Sequence, residues 1–214
     1  SYNKCCRSKE DTGRSKENLK SYGQDRRSYE YWTDGNYNLV NRLMSEFNKY
    51  KNNVICSVCG KLRKPSPDHI GPLSLGFSNS IYNIQSMCNP CNSAKNNRMT
   101  LSDFHKILKL EKTKGNMVSW HTQYLWNSLK KHVNNQSDLD KLCKILSHHL
   151  KTLLVVFNEV SKSENGEKSL IKKLNPQYSF YSYDFVNFDP SDLSNIEIIE
   201  NELESKNKRK NSER

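Results

Sequence analysis

Apolar residues recur with helical spacing along most of this chain, and one polar stretch interrupts them. Leu39, Val40, Leu43, Met44 and Phe47 follow i, i+3, i+4 spacing from Asn38, and Lys49 to Asn53 end that helix. Val54-Ile55 then reads as a short strand. Helical spacing returns in Leu101 to Lys112, with Phe104, Ile107 and Leu108 on one face and Thr100 or Ser102 as the cap. Gly115-Asn116 break it, and Ser119 to Val133 carries the next stripe through Trp120, Tyr124, Leu125 and Leu129. The strongest stripe runs from Ser137 to about Val160 through Leu139, Leu142, Cys143, Leu146, Leu150, Leu153, Leu154 and Phe157. Ser137 and Asp140 match a capping box at its start. Residues 161–168 (SKSENGEK) read as a linker. The aromatic run at 178–188 (YSFYSYDFVNF) reads as a strand stopped by Pro190. Ser191 then starts a last helix through Leu193, Ile196, Ile199 and Leu203, and the tail KNKRKNSER reads as a charged, disordered end.

Residues 56–95 (CSVCGKLRKPSPDHIGPLSLGFSNSIYNIQSMCNPCNSAK) carry concentrated chemistry instead. Two Cys-x-x-Cys pairs, Cys56/Cys59 and Cys88/Cys91, have the spacing that closes a tetrahedral, structural zinc site. The segment between them runs from 60 to 87, longer than the roughly 15–20 residues of a plain zinc ribbon. Inside it stand Asp68, His69 and Asn83. In a regular strand Asp68 and His69 would face opposite ways, so both serve one site only near a strand end or turn. Pro65 and Pro67 before them and Gly71-Pro72 after them supply that irregularity. Asn89-Pro90 opens a short helix that puts Asn92, Lys95 and Asn96 on one face, with its positive end a favourable place for phosphate.

Hydrolysing a phosphodiester requires a base to activate water and a cation to neutralise developing charge. Imidazole titrates near neutrality, which suits His69 to the first task. The carboxylate of Asp68 and the amide oxygen of Asn92 are hard ligands, suited to a magnesium ion that keeps most of its waters.

Composition narrows the class. The chain has 214 residues, 34% hydrophobic and 10% aromatic, enough for one sizeable domain with a thin core. Lys plus Arg number 34 against 23 Asp plus Glu, a formal net charge of +11 that points to a polyanionic partner, nucleic acid above all. No apolar run approaches the ~18–20 residues of a membrane span, and no secretory signal opens the chain. It begins without Met, as expected of a processed product or a piece of a longer chain. Of seven cysteines, Cys5, Cys6 and Cys143 stand outside the metal pattern, which fits a reducing, cytoplasmic setting. Near the N-terminus, Tyr22, Tyr29, Tyr31 and Trp32 interleave with Arg26 and Arg27. An arm whose aromatics dock on the core is preferred there over base stacking. His105, His121, His148 and His149 read as helix-surface or packing residues.

The central stretch resembles the HNH endonucleases, the zinc-stapled ββα-metal (His-Me finger) family. The matching residues are Cys56-Ser-Val-Cys59, Asp68-His69-Ile70-Gly71-Pro72, Asn83-Ile84-Gln85 and Cys88-Asn-Pro-Cys91-Asn92-Ser-Ala-Lys95. The resemblance implies that His69 activates water and that Asp68 and Asn92 bind the catalytic Mg²⁺, for which Mn²⁺ can substitute. It implies that Asn83 holds the loop orienting His69, and that Lys95 meets the DNA phosphate near the cut. Asn92 stands where the family also uses His. Leu75-Gly76-Phe77 stands where Gly-Gly is commoner, so a different hairpin loop is expected.

The fold class expected is α+β: a small ββα-metal core with a structural four-cysteine zinc site, embedded in mainly α-helical flanking regions. Residues 1–37 form a charged arm, 38–100 the nuclease core with its preceding helix, 101–162 a helical region, and 163–214 a strand and helix segment with a basic tail. The layout is similar to the cleavage part of some type II and type IIS restriction enzymes, with homing and phage nucleases also open. DNA is the expected partner, alongside a separate specificity domain or a second copy of the chain. The rival reading is a non-catalytic zinc module that binds nucleic acid, but such a module has no use for Asp68, His69 and Asn92 together. An interaction scaffold built on the 137–160 helix would leave the central stretch unexplained.

Overall fold

The computed structural model describes residues 35–174 and 181–203. Helix α1 (Tyr37–Lys49) starts where the Asn36 side-chain oxygen accepts from the Leu39 N–H at 3.0 Å. Strands β1 (Val54–Ile55) and β2 (Leu62–Arg63) pair around the first cysteine turn. β3 (Pro65–His69) pairs antiparallel with β4 (Ile84–Cys88), Pro65 opposite Cys88 and His69 opposite Ile84. The chain leaves β4 directly into α2 (Asn89–Lys95), with Pro90 in its first turn, where a missing N–H costs nothing. Thr100 and Asp103 then cap each other reciprocally to open α3 (Leu101–Lys114), so Thr100 is the cap and Ser102 is not. There follow α4 (Gln123–Leu129), α5 (Gln136–Val160), α6 (Glu164–Leu174) and a ribbon of β5 (Tyr181–Val186) with β6 (Glu197–Glu202). The result is mixed α+β, its described strands arranged in three two-stranded ribbons.

Three apolar clusters hold these elements. The largest gathers Phe104, Ile107, Trp126, Leu139, Leu142 and Leu146 from α3, α4 and α5 around Ile70, Leu75 and Phe77. A second joins Leu150, Leu154 and Phe157 of α5 and Leu170 of α6 to Leu73. The third packs Val40, Leu43 and Phe47 of α1 on Ile84, with Ile81, Phe185 and Ile196 at its edge. The loop from 70 to 83 therefore enters every cluster, which makes it part of the core rather than a surface connection. Its close packing needs glycine at two points. A Cβ on Gly71 would run into the Phe77 ring, and Gly76 takes φ +84 against Thr122.

Four expected elements differ. α5 starts at Gln136, capped by Asn135, whose side chain accepts from the Asp138 N–H at 3.0 Å; an equally good cap two residues earlier takes precedence over Ser137. The 119–133 helix contracts to Gln123–Leu129 with a 3₁₀ turn at Lys130–His132. The linker 161–168 instead starts α6, because the Ser163 hydroxyl accepts from the Gly166 N–H at 3.1 Å and Leu170 has a buried place to go. The last helix is a strand: Ile198 pairs with Phe185 across the ribbon, and tertiary pairing overrides a helical spacing of apolar residues. No described helix is long and apolar enough to cross a membrane. The arm's Tyr22, Tyr29, Tyr31, Trp32, Arg26 and Arg27, together with Cys5, Cys6, residues 178–180 and the tail, lie outside the described residues.

Candidate active site and four-cysteine cluster

The β1–β2 turn and the β4–α2 junction bring the two cysteine pairs together. Cys56 begins a tight turn in which its carbonyl accepts from the Gly60 N–H at 2.9 Å. Cys88 ends β4, donates its N–H to Cys56 Sγ at 3.3 Å, and lies 3.7 Å sulfur to sulfur from Cys59. The Sγ atoms of Cys56, Cys59, Cys88 and Cys91 all fall within 4.8 Å of one another, a set that could hold a metal such as zinc. Burial pushes the Cys56 thiol up, but N–H groups of Cys59, Val58 and Cys88 outweigh it and bring it down to about 6. Hydrogen bonding with Cys88, then burial and the neighbouring sulfurs, pushes Cys91 up to about 12. Four such sulfurs ionise together only when a cation neutralises them. Cys143 stands apart on α5, its thiol pushed up to about 12 first by burial and then by Asp140.

Asp68 and His69 are the last residues of β3, where the chain turns out of the strand. The irregularity lets both neighbours line one cavity of about 270 Å³, together with Pro72 and Leu73 of the loop, Asn92 of α2 and Asn96 just past its end. His105, His121, His148 and His149 do not line it. Each site side chain has fixed partners behind it. His69 Nε2 lies 3.0 Å from Asn79 Oδ1; donating its proton there places the ring's lone pair on Nδ1. Asn92 donates from Nδ2 to Ser66 Oγ at 3.0 Å and to the Pro67 carbonyl at 2.9 Å, and so keeps its Oδ1 for another partner. Asn83, fully buried, accepts from the Gly71 N–H at 2.8 Å and donates to the carbonyls of Gly71 and Ser78 at 2.8 and 3.0 Å. These bonds clamp the loop that carries Asn79.

Lys95 is not where the resemblance puts it. It turns inward, 7% exposed, with its Nζ 2.6 Å from Asp68 Oδ2, 3.8 Å from an Asp103 carboxylate oxygen, and donating to the carbonyls of His69 and Ile70. On a helix joined tightly to β4, its side chain reaches back under the strand, and the buried carboxylates there give it stronger partners than solvent. Gln85 Nε2 bridges Asp68 Oδ2 at 3.2 Å and Asp103 Oδ1 at 3.0 Å. Asn79 and Asp103 carried no functional signal in the sequence. Asn79 sits in an irregular run of polar residues, and Asp103 lies in the first turn of α3, where it caps Thr100. Asp68 and Asn92, both lining the cavity, carry the hard oxygen donors that a small divalent cation takes.

A protein-family model described as "Type II restriction endonuclease (RE_Alw26IDE)" matches residues 1–214 of this chain. No curated protein and no solved structure matches it.

Proposed function

The chain belongs to the type II restriction endonuclease family, and we propose that it cuts DNA with an HNH-type (ββα-metal) active site built on β3, β4 and α2. The observation that carries this reading is the meeting of Asp68, His69 and Asn92 on one cavity from a strand end and a helix face. His69 accepts the proton of the attacking water at Nδ1 while Asn79 holds the ring by Nε2. Asp68 and Asn92 present oxygens to a magnesium ion, with manganese as a substitute. When bound, that ion supplies charge neutralisation on the phosphate and the leaving oxygen. Asn83 keeps the 70–83 loop in place, and zinc at the four cysteines staples β1–β2 to β4–α2. The products are 5′-phosphate and 3′-hydroxyl ends, and the setting is cytoplasmic. A zinc module that only binds nucleic acid would leave the three cavity side chains without a task.

A plasmid cleavage assay with Mg²⁺ and with EDTA, wild type beside His69→Ala, tests the reading. Wild type is expected to cut only with the metal, and His69→Ala to lose about 10²–10⁴-fold in rate while still binding DNA and keeping its fold. A variant that cuts at the wild-type rate removes His69 from the base role. If neither protein cuts and both bind DNA, the binding-module reading takes its place.

A further inference from the structure

Behind Asp68 lies a buried charge network, Lys95, Asp103 and Gln85, to which the proposed hydrolysis gives no task. The Lys95 side chain, 4% exposed, sits between the carboxylates of Asp68 and Asp103. Asp68 Oδ2 receives both Lys95 Nζ at 2.6 Å and Gln85 Nε2 at 3.2 Å. A carboxylate oxygen has two lone-pair sites, so Oδ2 is fully engaged and Oδ1 is the atom left to the cavity. Asp103 is itself anchored: its Oδ2 accepts from the Thr100 N–H at 3.1 Å and hydroxyl at 2.8 Å, and its Oδ1 from Gln85. Lys95 therefore cannot swing to solvent without abandoning two buried carboxylates, which is strongly unfavourable.

We propose that Lys95, backed by Asp103 and Gln85, is a positioning residue that holds Asp68 as a one-oxygen ligand and so favours magnesium over calcium at this site. The inference rests on the reading of Asp68 and Asn92 as cation ligands. Magnesium takes single oxygens in a tight octahedron and keeps waters, whereas calcium takes more oxygens and accepts a carboxylate through both. Pinning Oδ2 from behind withholds the second oxygen that calcium would use. Asp103, from α3 and outside the cysteine-bounded stretch, thus becomes part of the site's metal selectivity.

Calorimetric titration of the full chain with Mg²⁺ and, separately, Ca²⁺ tests this, with circular dichroism as the fold check. One ammonium between two carboxylates gives the cluster a formal charge of −1; Lys95→Met takes it to −2, and Lys95→Met/Asp103→Asn returns it to −1, each freeing one of the two lone pairs of Oδ2 while Gln85 stays on the other. Both variants are expected to raise calcium affinity relative to magnesium by about tenfold, the lower end of what outer-shell substitutions do. The double variant carries the test where the single one does not fold. An unchanged calcium-to-magnesium ratio in a folded variant overturns the proposal, as does failure of both variants to fold, which would make the network a strut of the core. The ligand reading fails separately: wild type would then bind neither cation, or Asp68→Asn would bind magnesium as wild type does.

Discussion

In the proposed role of His69 as base, the ring must hold one tautomer, and the Asn79 amide oxygen beside Nε2 favours a proton there. Asn79 is 3% exposed and places its Oδ1 against His69 Nε2, so its removal takes away the acceptor that favours a proton on that nitrogen. Asn79→Ala is expected to lower the cleavage rate by about 10²-fold, the loss that a misplacement of roughly 1 Å brings, with DNA affinity unchanged. Single-turnover rates beside a DNA-binding titration separate the two. Equal loss in both would show that Asn79 supports the fold alone. Asp68, His69 and Asn92 could be picked out because their types and spacing suit one chemistry, and the structure brings all three to one cavity. Asn79 could not be, because one asparagine in a run of Ser and Asn carries no signal until the loop closes. Lys95 misled for the converse reason: a lysine near a phosphate site reads as a DNA contact until two buried carboxylates appear beside it.

The β3–β4 ribbon and α2 place Asp68, His69 and Asn92, and the cysteines bring that unit against β1–β2. β1 and β2 are two residues each, too short to hold a register by pairing alone. Their geometry depends on the sulfur cluster. Cys88→Ser removes one of the four sulfurs while keeping the backbone N–H that Cys56 Sγ accepts. Structural zinc contributes about 10–16 kcal/mol in zinc-finger peptides, on the scale of a whole domain's stability, so this variant is expected to lose its metal and its cooperative melt. Elemental analysis beside a thermal melt reads both, and a fully folded, metal-free variant would sink the structural-zinc assignment. Of the four elements that differ from the sequence reading, α6 and β6 changed type. For each, a tertiary partner (Leu73 with Leu170, Phe185 with Ile198) decides the outcome.

Across the whole chain, the formal charge of +11 and the family's DNA substrate lead to one expectation about binding. Phosphate neutralisation releases counterions, so affinity for any duplex should fall steeply with salt: about 10³-fold or more between 50 and 200 mM for roughly six phosphate contacts. A binding titration across that range gives the slope, and a flat response would show that the basic surface does not meet the DNA backbone. The three apolar clusters share the 70–83 loop, so helices far along the chain hold the residues beside His69.

Local pattern was enough for the cysteine pairs, the Asp68-His69 turn, the Asn92 helix and the leucine stripe of α5, because each depends on spacing within one element or on neighbours in sequence. Packing alone decided that Lys95 and Gln85 hold Asp68 Oδ2, which side Lys95 occupies, and that Asn79 and Asp103 lie against His69 and Lys95. Those outcomes depend on the distance between buried charges and amides on separate elements, and no periodicity in the chain encodes that distance.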